Sequence, residues 1–353
     1  MNKPGNSVRP EMGSEFWYDA DAERSAKSKW CSRGGNQRFF MSGRTALHAI
    51  LDDISASRKC RSACLPSWCC HTMIMPFLAH SIQVSFYSVF AANGTLVQCA
   101  LPQTDCDIVL TMDYFGYRCK CPDIPENAVV IHDMTQAVFS KAPEADYIYA
   151  SFRKWDCIAA AAVAVKQDAW IIPPALARNG NYISMRERAY ELKTEYMKSG
   201  RGDKSKFLHL FSAAEDLLER DYIGYAADES SLERAKRLDY MLTRRRENAR
   251  LLVSALHDLS LVQPIFTLPD DGSVPLFVPV IVRKNMRDDL KHFLTENRVY
   301  CPVHWPLSGL HTLTAEERSI YEAELSLICD QRYGSSDILR EAELIRKFER
   351  EYG

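Results

Sequence analysis

YIYASFRKW, residues 147–155, is the segment that decides the expected fold, because it follows VVIHDMTQ at residues 129–136. Each segment starts with an apolar run that has the length of a buried strand, and each then turns polar. Asp133 closes the first run, and Lys154 follows the second. The carboxyl ends of parallel strands share one edge of an α/β sheet, and ligands bind at that edge. The two segments therefore predict a ligand site that contains an aspartate and a lysine.

An aspartate and a lysine in this order suit the cofactor pyridoxal 5'-phosphate (PLP). A lysine amine bonds to the cofactor aldehyde, while a carboxylate keeps the pyridine nitrogen protonated so that the ring draws in electrons. Arg153 and apolar surroundings lower the pKa of the neighbouring amine, which favours its nucleophilic neutral form. For Lys154 alone, a surface turn with two basic residues is the better interpretation. Asp133 upstream favours the cofactor interpretation, with Lys154 as the catalytic residue.

A candidate phosphate loop, SGRT at residues 42–45, lies upstream of both segments. Residues 42–55 carry apolar side chains at helical spacing, so the loop opens a predicted helix. Backbone N–H groups and the helix dipole at such an end bind phosphate. Taken alone, a serine-glycine pair at a helix start is usually only a cap. Its place ahead of the aspartate and the lysine favours a phosphate site.

Three further side chains fit the same cofactor. Trp68 could stack flat on the pyridine ring, although a lone tryptophan is more often a core residue. Gln136 can hydrogen-bond the phenolic oxygen of the ring, and the Ser151 hydroxyl can bind the phosphate. Asp133 needs a partner, because a carboxylate buried without one costs several kcal/mol. A pyridinium N–H is such a partner, and a nearby arginine would serve equally well.

Composition limits the classes of protein that fit the chain. Its 353 residues are 46% hydrophobic and 25% charged, which allows a sizeable core and excludes bulk disorder. The net charge of −2 gives no electrostatic reason to expect nucleic acid or an acidic membrane as a partner. No apolar run approaches the roughly 20 residues that cross a bilayer. The N-terminus lacks the apolar stretch of a signal peptide, so a cytoplasmic location is expected.

Twelve cysteines are many for such a chain. Several form close pairs, such as Cys69 and Cys70, but none gives the two spaced CxxC knuckles of a structural zinc site. Without a secretion signal we expect reduced thiols that pack mostly as small apolar groups. No metal site is predicted.

Short apolar runs alternate with helical patterns through the first half of the chain, which predicts an α/β domain with a mostly parallel sheet. A helix is expected at residues 68–80, with Met73, Phe77 and Leu78 facing inward. Strands are expected at residues 107–112, 128–131, 147–150 and 159–165, the last as a return strand.

Beyond residue 168 the chain becomes charged and helical. The run RRREN at residues 244–248 predicts a solvated or intersubunit helix face rather than a nucleic-acid patch. Strand-like segments return after residue 264. We therefore expect a loose N-terminal arm at residues 1–30, a large PLP-binding domain at 31–254 and a smaller α+β domain at 255–353.

The chain resembles the PLP-dependent aspartate aminotransferase superfamily (fold type I), and within it the DegT-type sugar aminotransferases. The matching segments are SGRTAL, LPSWCCHT, VVIHDMTQAVFS, DYIYASFRKW and RRRENARLLVSAL, with CPVHWPL at 301–307 similar to the family's C-terminal segment. Their order and spacing carry the specificity. The resemblance implies that Lys154 is the catalytic lysine. The cofactor contacts that it implies are Gly43, Arg44, Thr45, Trp68, Asp133, Gln136, Ser151 and Lys154.

The chain departs from the family pattern at three places. Two residues separate Ser151 from Lys154, where the family has four. The glycines that normally follow the lysine are replaced by the apolar run at residues 158–162, and Arg44 stands where the family has a small threonine or serine. The expectation of a cofactor survives these changes, whereas the substrate rests on the resemblance alone.

The function that the resemblance implies is amino transfer from an amino acid such as glutamate to a keto-sugar attached to a nucleotide. Lys154 would anchor the cofactor and then move a proton between the substrate carbon and the cofactor. A homodimer is expected, with active sites that border both subunits. Two alternatives remain open at this point: another PLP-dependent reaction, namely elimination, dehydration or decarboxylation, and a non-catalytic relative used for binding or regulation.

Overall fold

A seven-stranded sheet forms the centre of the larger part of the chain. The computed structural model describes residues 11–18, 28, 30, 34–92, 94–99, 101, 105–266 and 272–353. The strands of this sheet, in spatial order, are β2 (Asn36–Phe40), β10 (Ala162–Lys166), β9 (Tyr147–Ser151), β8 (Val129–Asp133), β7 (Ile108–Met112), β3 (Ser62–Pro66) and β4 (Gln83–Tyr87). A hairpin of β5 (Val89–Ala92) and β6 (Thr95–Gln98) lies beside it in the chain.

Five neighbouring strands of the sheet, β9-β8-β7-β3-β4, run parallel. β10 is antiparallel to both β9 and β2, so the expected return strand exists and reverses direction. Asp133 ends β8 opposite Tyr149 of β9, and Ser151 ends β9. The expected mixed, mostly parallel α/β sheet is confirmed, and the carboxyl ends of β8 and β9 lie side by side.

Helix α1 (Gly43–Ser57) begins as the sequence predicted. The Ser42 side chain caps it by accepting a hydrogen bond from the Thr45 backbone N–H at 3.1 Å. The apolar face of α1 is buried in the same core as the sheet strands. The first residue of α1, Gly43, lies against Ser151 at the end of β9 and Thr135 just after β8.

Helix α2 (His71–Ala79) begins three residues later than expected. Met73 and Phe77 face inward as predicted, but Leu78 is 46% exposed, so that part of the prediction is wrong. Ile74 shares the buried face with Phe77, one turn apart, and this spacing turns the next residue, Leu78, towards solvent.

The second half of the chain is helical and then forms a small antiparallel sheet. Its helices are α3 (Gly180–Ser199), α4 (Lys204–Arg220), α5 (Glu229–Ala235), α6 (Leu242–Leu256), α7 (Arg287–Glu296), α8 (Ala315–Ala323) and α9 (Ser335–Tyr352). Its sheet has the order β11 (Val262–Pro264), β12 (Val278–Val282), β14 (Glu324–Leu327). Leu252 and Leu256 of α6 pack in the core of this small sheet. The domain limits at residues 30 and 254 stay predictions.

The arginine run at the start of α6 is only in part the exposed face that a solvated or intersubunit surface requires, because Arg244 and Glu247 are exposed and Arg245 is not. Arg245 is fully buried and donates hydrogen bonds to the carbonyl oxygens of Pro275 and Leu276 at 3.2 and 2.9 Å. Its guanidinium also lies 4.9 Å from the Trp155 ring centroid. Arg244, by contrast, is half exposed. Helical spacing places only one arginine of the run against the core.

The described part of the expected N-terminal arm is not loose. β1 (Met12–Gly13) pairs in parallel with β13 (Val299–Tyr300). Glu11 is buried and forms ion pairs with Lys193 of α3 and Lys204 of α4. Residues 11–18 therefore join the helical region to the C-terminal region, and the prediction of a loose arm is corrected for them. Residues 1–10, 19–27 and 29 lie outside the described residues.

Two further expectations concern the whole chain. Within the described ranges, no helix is long and apolar enough to cross a membrane. The eleven cysteines that the structure describes are all free thiols, as the sequence predicted.

Candidate active site

A cavity of about 300 Å³ opens at the carboxyl ends of β8 and β9, beside the N-terminus of α1. Six of the eight predicted site residues line it, namely Gly43, Arg44, Asp133, Gln136, Ser151 and Lys154. They come from three separate segments and meet because parallel strands end on one edge of the sheet.

Asp133 lies in the wall of this cavity and is held by two hydrogen bonds. Its carboxylate accepts from the Thr135 backbone N–H at 2.6 Å and from the Tyr149 hydroxyl at 2.7 Å. Burial raises the pKa of Asp133, since an anion loses hydration there. A cationic N–H partner would offset that loss and hold the carboxylate ionised. A pyridinium nitrogen has the required chemistry.

Lys154 ends a single 3-10 turn, Phe152–Lys154, that follows β9 directly. This turn brings the lysine into the cavity with Ser151, although the two are closer in sequence than in the family pattern. Its amine makes no hydrogen bond or ion pair with any described residue. Burial lowers the pKa of Lys154, and the Arg153 charge lowers it further. The side chain is nevertheless open to the cavity space.

Arg153 is held away from the lysine by an ion pair. Its Nη2 donates to Glu215 Oε2 at 3.0 Å, and its Nη1 also donates to the Tyr182 hydroxyl at 3.2 Å. Arg153 therefore stays charged and acts on Lys154 through space rather than by a direct contact. Glu215 also lines the cavity.

The opposite end of the cavity has the features of a phosphate site. A Cβ at Gly43 would lie 3.2 Å from Ser151 Cβ, so only glycine leaves this space open. Ser151 Oγ is buried and has no hydrogen-bond partner among the described residues. The N-terminal N–H groups and dipole of α1 face the same space. An anion with several acceptor oxygens fits this cradle.

Arg44 borders the same end but is partly engaged elsewhere. Its Nη1 donates to the Leu218 carbonyl at 3.2 Å, and its guanidinium lies 5.3 Å from the Tyr222 ring centroid. Its buried Nε has no partner within the described part of the chain. The side chain therefore adds positive charge near the cradle and keeps one N–H for a ligand.

Gln136 reaches the cavity from the turn after β8. Its amide oxygen accepts a hydrogen bond from the Phe115 backbone N–H at 2.9 Å. This contact fixes the orientation of the amide and leaves its NH₂ group as the donor for a ligand. The predicted contact with a ring oxygen is compatible with that arrangement.

Trp68 and Thr45 do not line the cavity, so the structure does not bring these two predicted residues together with the other six. Trp68 is fully buried, stacks on Tyr114 with ring centroids 5.2 Å apart, and donates its indole N–H to the His304 carbonyl. Trp68 is therefore a core residue in this structure. Thr45 donates its hydroxyl to the Tyr222 carbonyl at 2.8 Å, because it lies on the buried side of the first turn of α1.

Several residues that line the cavity were not predicted to belong to the site. They are Leu47, Cys70, His71, Thr72, Met73, Met112, Thr135, Tyr149, Arg153, Glu215, Leu218, Glu219 and Trp305. The thiol of Cys70 is one of them: burial opposes its ionisation, but hydrogen bonds from His71 and Thr72 bring its pKa down to about 7. The one sequence signal for Trp305 was its place in CPVHWPL, which resembles the family's C-terminal segment.

A second cavity, of about 420 Å³, adjoins the first and shares Arg153, Lys154 and Glu215 with it. Its remaining walls come from distant segments. Their acidic and basic side chains are Glu15, Arg186, Arg245, Lys291, His304, Asp330 and Arg332. Arg332 is paired with Asp330 at 2.7 Å. Burial and the Lys154 charge lower the pKa of His304 to about 3, so its ring is neutral.

Comparison with known proteins gives a partial match to one family and a shared fold with several solved structures. A model of the DegT/DnrJ/EryC1/StrS aminotransferase family matches residues 230–329. PseC of Helicobacter pylori, an aminotransferase involved in the biosynthesis of pseudoaminic acid, matches at 13% identity and a TM-score of 0.65, covering 97% of this chain and 100% of its own. DesV of S. venezuelae matches at 14% identity and a TM-score of 0.64, and the match covers 92% of this chain and 88% of the DesV chain.

A third match is Spr1654 of Streptococcus pneumoniae in its PMP form, at 13% identity and a TM-score of 0.62, with 89% of this chain and 86% of that chain covered. No curated protein sequence matches this chain. The predicted resemblance to the DegT-type family and the predicted fold type I are confirmed. The predicted aminotransferase class and PLP cofactor agree with the same matches.

Proposed function

We propose that the protein is a PLP-dependent aminotransferase that transfers an amino group from an amino acid such as glutamate to a keto-sugar, one linked to a nucleotide. One observation carries the proposal. A single cavity holds a lysine amine, a buried carboxylate and a serine hydroxyl beside a glycine cradle. Among the described residues, the amine and the hydroxyl have no partner, and the carboxylate has no cationic N–H bonded to it. These three groups match the aldehyde, the pyridine nitrogen and the phosphate of PLP.

Each of the three groups has a defined task. PLP, when bound, supplies an electron sink for the substrate carbon. Asp133 keeps the pyridine nitrogen protonated, since the two hydrogen bonds to its oxygens hold the carboxylate in place. Lys154 would hold the cofactor, and its neutral amine would move the proton taken from the substrate carbon. Ser151 and the α1 N-terminus bind the phosphate.

The second cavity supports the substrate part of the proposal. It begins at Lys154, so a molecule bound there presents its reacting atom to the amine. Its walls carry both signs of charge, which suits polar substrates with anionic groups such as an amino acid or a nucleotide-linked sugar. Its volume exceeds that of the first cavity. Room for a substrate therefore exists beside the cofactor position.

An absorption spectrum of the purified protein with added PLP tests the cofactor assignment. We expect a visible band that disappears on borohydride reduction, and peptide mapping that places the pyridoxyl label on Lys154. Lys291→Ala is the matched control, because Lys291 lines only the second cavity. A label on Lys166 or Lys193 would overturn the assignment, and absence of any band would favour a non-catalytic relative.

Product analysis separates amino transfer from the other reactions that PLP supports. With glutamate and a nucleotide-linked keto-sugar, we expect 2-oxoglutarate and an amino-sugar in equal amounts. Ammonia or carbon dioxide release without an aminated product would instead indicate elimination, dehydration or decarboxylation.

We further propose a homodimer whose two active sites each border both subunits. Leu208 of α4 is 42% exposed and Ile223 is 54% exposed, so this charged helical region carries apolar side chains on its surface. Two-fold symmetry is the commonest closed arrangement, and an obligate interface buries more than roughly 2,000 Å². Light scattering should give a dimer mass. A 40.3 kDa particle with a full complement of PLP would contradict the proposal.

A further inference from the structure

Three side chains of types that can bind metals meet between α1 and the end of α2. His48 and Asp52 lie one turn apart on α1, and His80 caps the end of α2. Their nearest ligand atoms all lie within 4.8 Å of one another. None of the three lines the candidate active site. The cluster therefore needs an explanation separate from the cofactor.

The hydrogen bond of His80 to the backbone fixes which of its nitrogens faces the cluster. Its Nδ1 donates to the Pro76 carbonyl at 2.7 Å, which leaves Nε2 facing Asp52 Oδ1 at 2.9 Å. Metal-binding histidines commonly use this arrangement, with one ring nitrogen bound to a carbonyl and the other to the ion. A proton on Nε2 would satisfy His80 and Asp52.

That proton leaves His48 unsatisfied. His48 makes no hydrogen bond to any described residue, and its Nδ1 is buried. Its Nε2 lies 3.9 Å from Asp52 Oδ1, beyond hydrogen-bond distance. The His48 and His80 rings are 4.5 Å apart between centroids, closer than two protonated imidazoles would favour. A cation between the three side chains satisfies all of them at once.

We propose that His48, Asp52 and His80 bind a divalent transition-metal ion of the zinc class, with solvent in the remaining coordination position. Two imidazoles and one carboxylate are a ligand set that zinc accepts. Bonds of about 2.0–2.1 Å in a tetrahedral site separate the ligand atoms by roughly 3.4 Å. The distances from Asp52 to His80 and His48, 2.9 and 3.9 Å, bracket that value.

The surroundings permit entry of an ion. The side chains of His48 and His80 are 11% exposed, whereas Asp52 is 46% exposed, so an ion reaches the cluster from solvent on the Asp52 side. The histidines are held by the helices behind them. The site therefore has fixed nitrogen ligands and one adjustable carboxylate.

A metal at this position would connect α1 to α2 next to the phosphate cradle. The His48 ring packs edge-on against Tyr222 at 5.7 Å. The Tyr222 ring in turn lies beneath Arg44, and its carbonyl accepts the Thr45 hydroxyl. The role assigned to the ion is therefore structural, because it fixes the first turn of α1. It does not enter the reaction.

Zinc stoichiometry tests the site. Protein stripped with a chelator and dialysed against zinc should hold one more equivalent than His48→Gln or His80→Gln. The cysteines contribute equally to every variant, so the difference isolates the cluster. His292→Gln is the matched control, since His292 pairs with Glu296 on α7 at 3.3 Å without a third ligand, and it should bind as the parent does. Equal stoichiometry in all four proteins would overturn the proposal.

A second measurement protects the test against variants that do not fold. Crystals of the parent protein soaked in zinc should show an anomalous peak between the His48 and His80 rings. The midpoint of thermal unfolding should rise with zinc in the parent and in His292→Gln, because an ion that binds only the folded state stabilises it. A peak located only at cysteines, with no rise in the midpoint, would contradict the site.

Discussion

The two cavities that meet at Lys154 are built in different ways. Most predicted residues of the first come from strand ends and helix starts between residues 42 and 154. The second draws its walls from the N-terminal segment, α3, α6, α7 and the C-terminal loops. A site made at strand ends can be recognised from local sequence, whereas a site made by packing of distant segments cannot. The cofactor-binding residues can therefore be predicted from the sequence, whereas the identity of the substrate must be measured.

The largest effect is expected for Lys154→Ala, which removes the amine that lines both cavities. Turnover should fall by about 1,000-fold or more, equivalent to about 4 kcal/mol of barrier. Single-turnover kinetics with PLP and glutamate measure the loss. Lys291→Ala, which alters only the second cavity, should change KM for a substrate more than the turnover number. Equal losses in the two variants would break the distinction between the cavities.

Arg245→Met tests how much the second cavity depends on packing. Burying the Pro275 and Leu276 carbonyls without a donor should cost about 2–4 kcal/mol of unfolding free energy. Denaturant titration measures the change, and Arg244→Met, its half-exposed neighbour, should stay within about 0.5 kcal/mol of the parent. An unchanged free energy of unfolding in Arg245→Met would mean that the buried hydrogen bonds of Arg245 do not stabilise the fold.

Asp133→Asn probes the first cavity without removing a contact to the backbone. The amide still fits beside Tyr149, but it cannot hold a pyridine nitrogen protonated. We expect PLP to remain bound and turnover to fall by about 100-fold, or about 2.7 kcal/mol. PLP content and turnover are measured on the same sample. Unchanged turnover in a folded variant would make the carboxylate structural.

Ser151→Ala is expected to have a smaller effect, confined to cofactor affinity. A hydrogen bond to a charged group contributes about 1.5–3 kcal/mol, so the Kd for PLP should rise by at least about tenfold. Equilibrium dialysis measures it. The exposed Ser319→Ala is the control and should bind PLP as the parent does. No change at Ser151 would place the phosphate elsewhere in the cavity.

The smallest expected effect is a pH shift in Arg153→Gln. Burial and the Arg153 charge hold the pKa of Lys154 below its ordinary value, so its neutral, reactive form persists to lower pH. Removing the positive charge raises that pKa, and unpaired Glu215 raises it further. The pH midpoint of PLP capture by the stripped protein should therefore move upward. Arg153→Lys keeps the charge and should leave the midpoint nearly unchanged.

The sequence predicted most of the large sheet for a definite reason. The apolar runs that become β7, β8 and β9 are buried on both faces, and such strands leave a continuous signal. Asp133 and Lys154 were recognised because a polar residue that ends such a run lies at the ligand edge. Gly43 was found through the helix it opens.

Three residues lie in surroundings other than those expected, and the reason is a different one. Trp68, Thr45 and Arg245 were assigned from the residue type and its neighbours in sequence, whereas their partners lie far along the chain. Trp68 donates a hydrogen bond to the His304 carbonyl, and no local sequence pattern predicts that contact. The same limit hid the second cavity, because no single segment of it carries more than a few of its polar groups.

The packing of residues 11–18 against the helical and C-terminal regions has a practical consequence for anyone who shortens or extends this chain. A fusion ahead of residue 11 leaves β1 in place. A start at residue 19 would remove Glu11 from buried Lys193 and would also take away the Glu15 carbonyl, to which Arg332 donates at 2.9 Å. Lys204 would also lose Glu11, and Arg186 would lose the Glu15 carboxylate. Of these four cations, Arg186 and Arg332 lie in the wall of the second cavity. Deletion of the N-terminal segment thus changes the cavity that is proposed to bind the substrate.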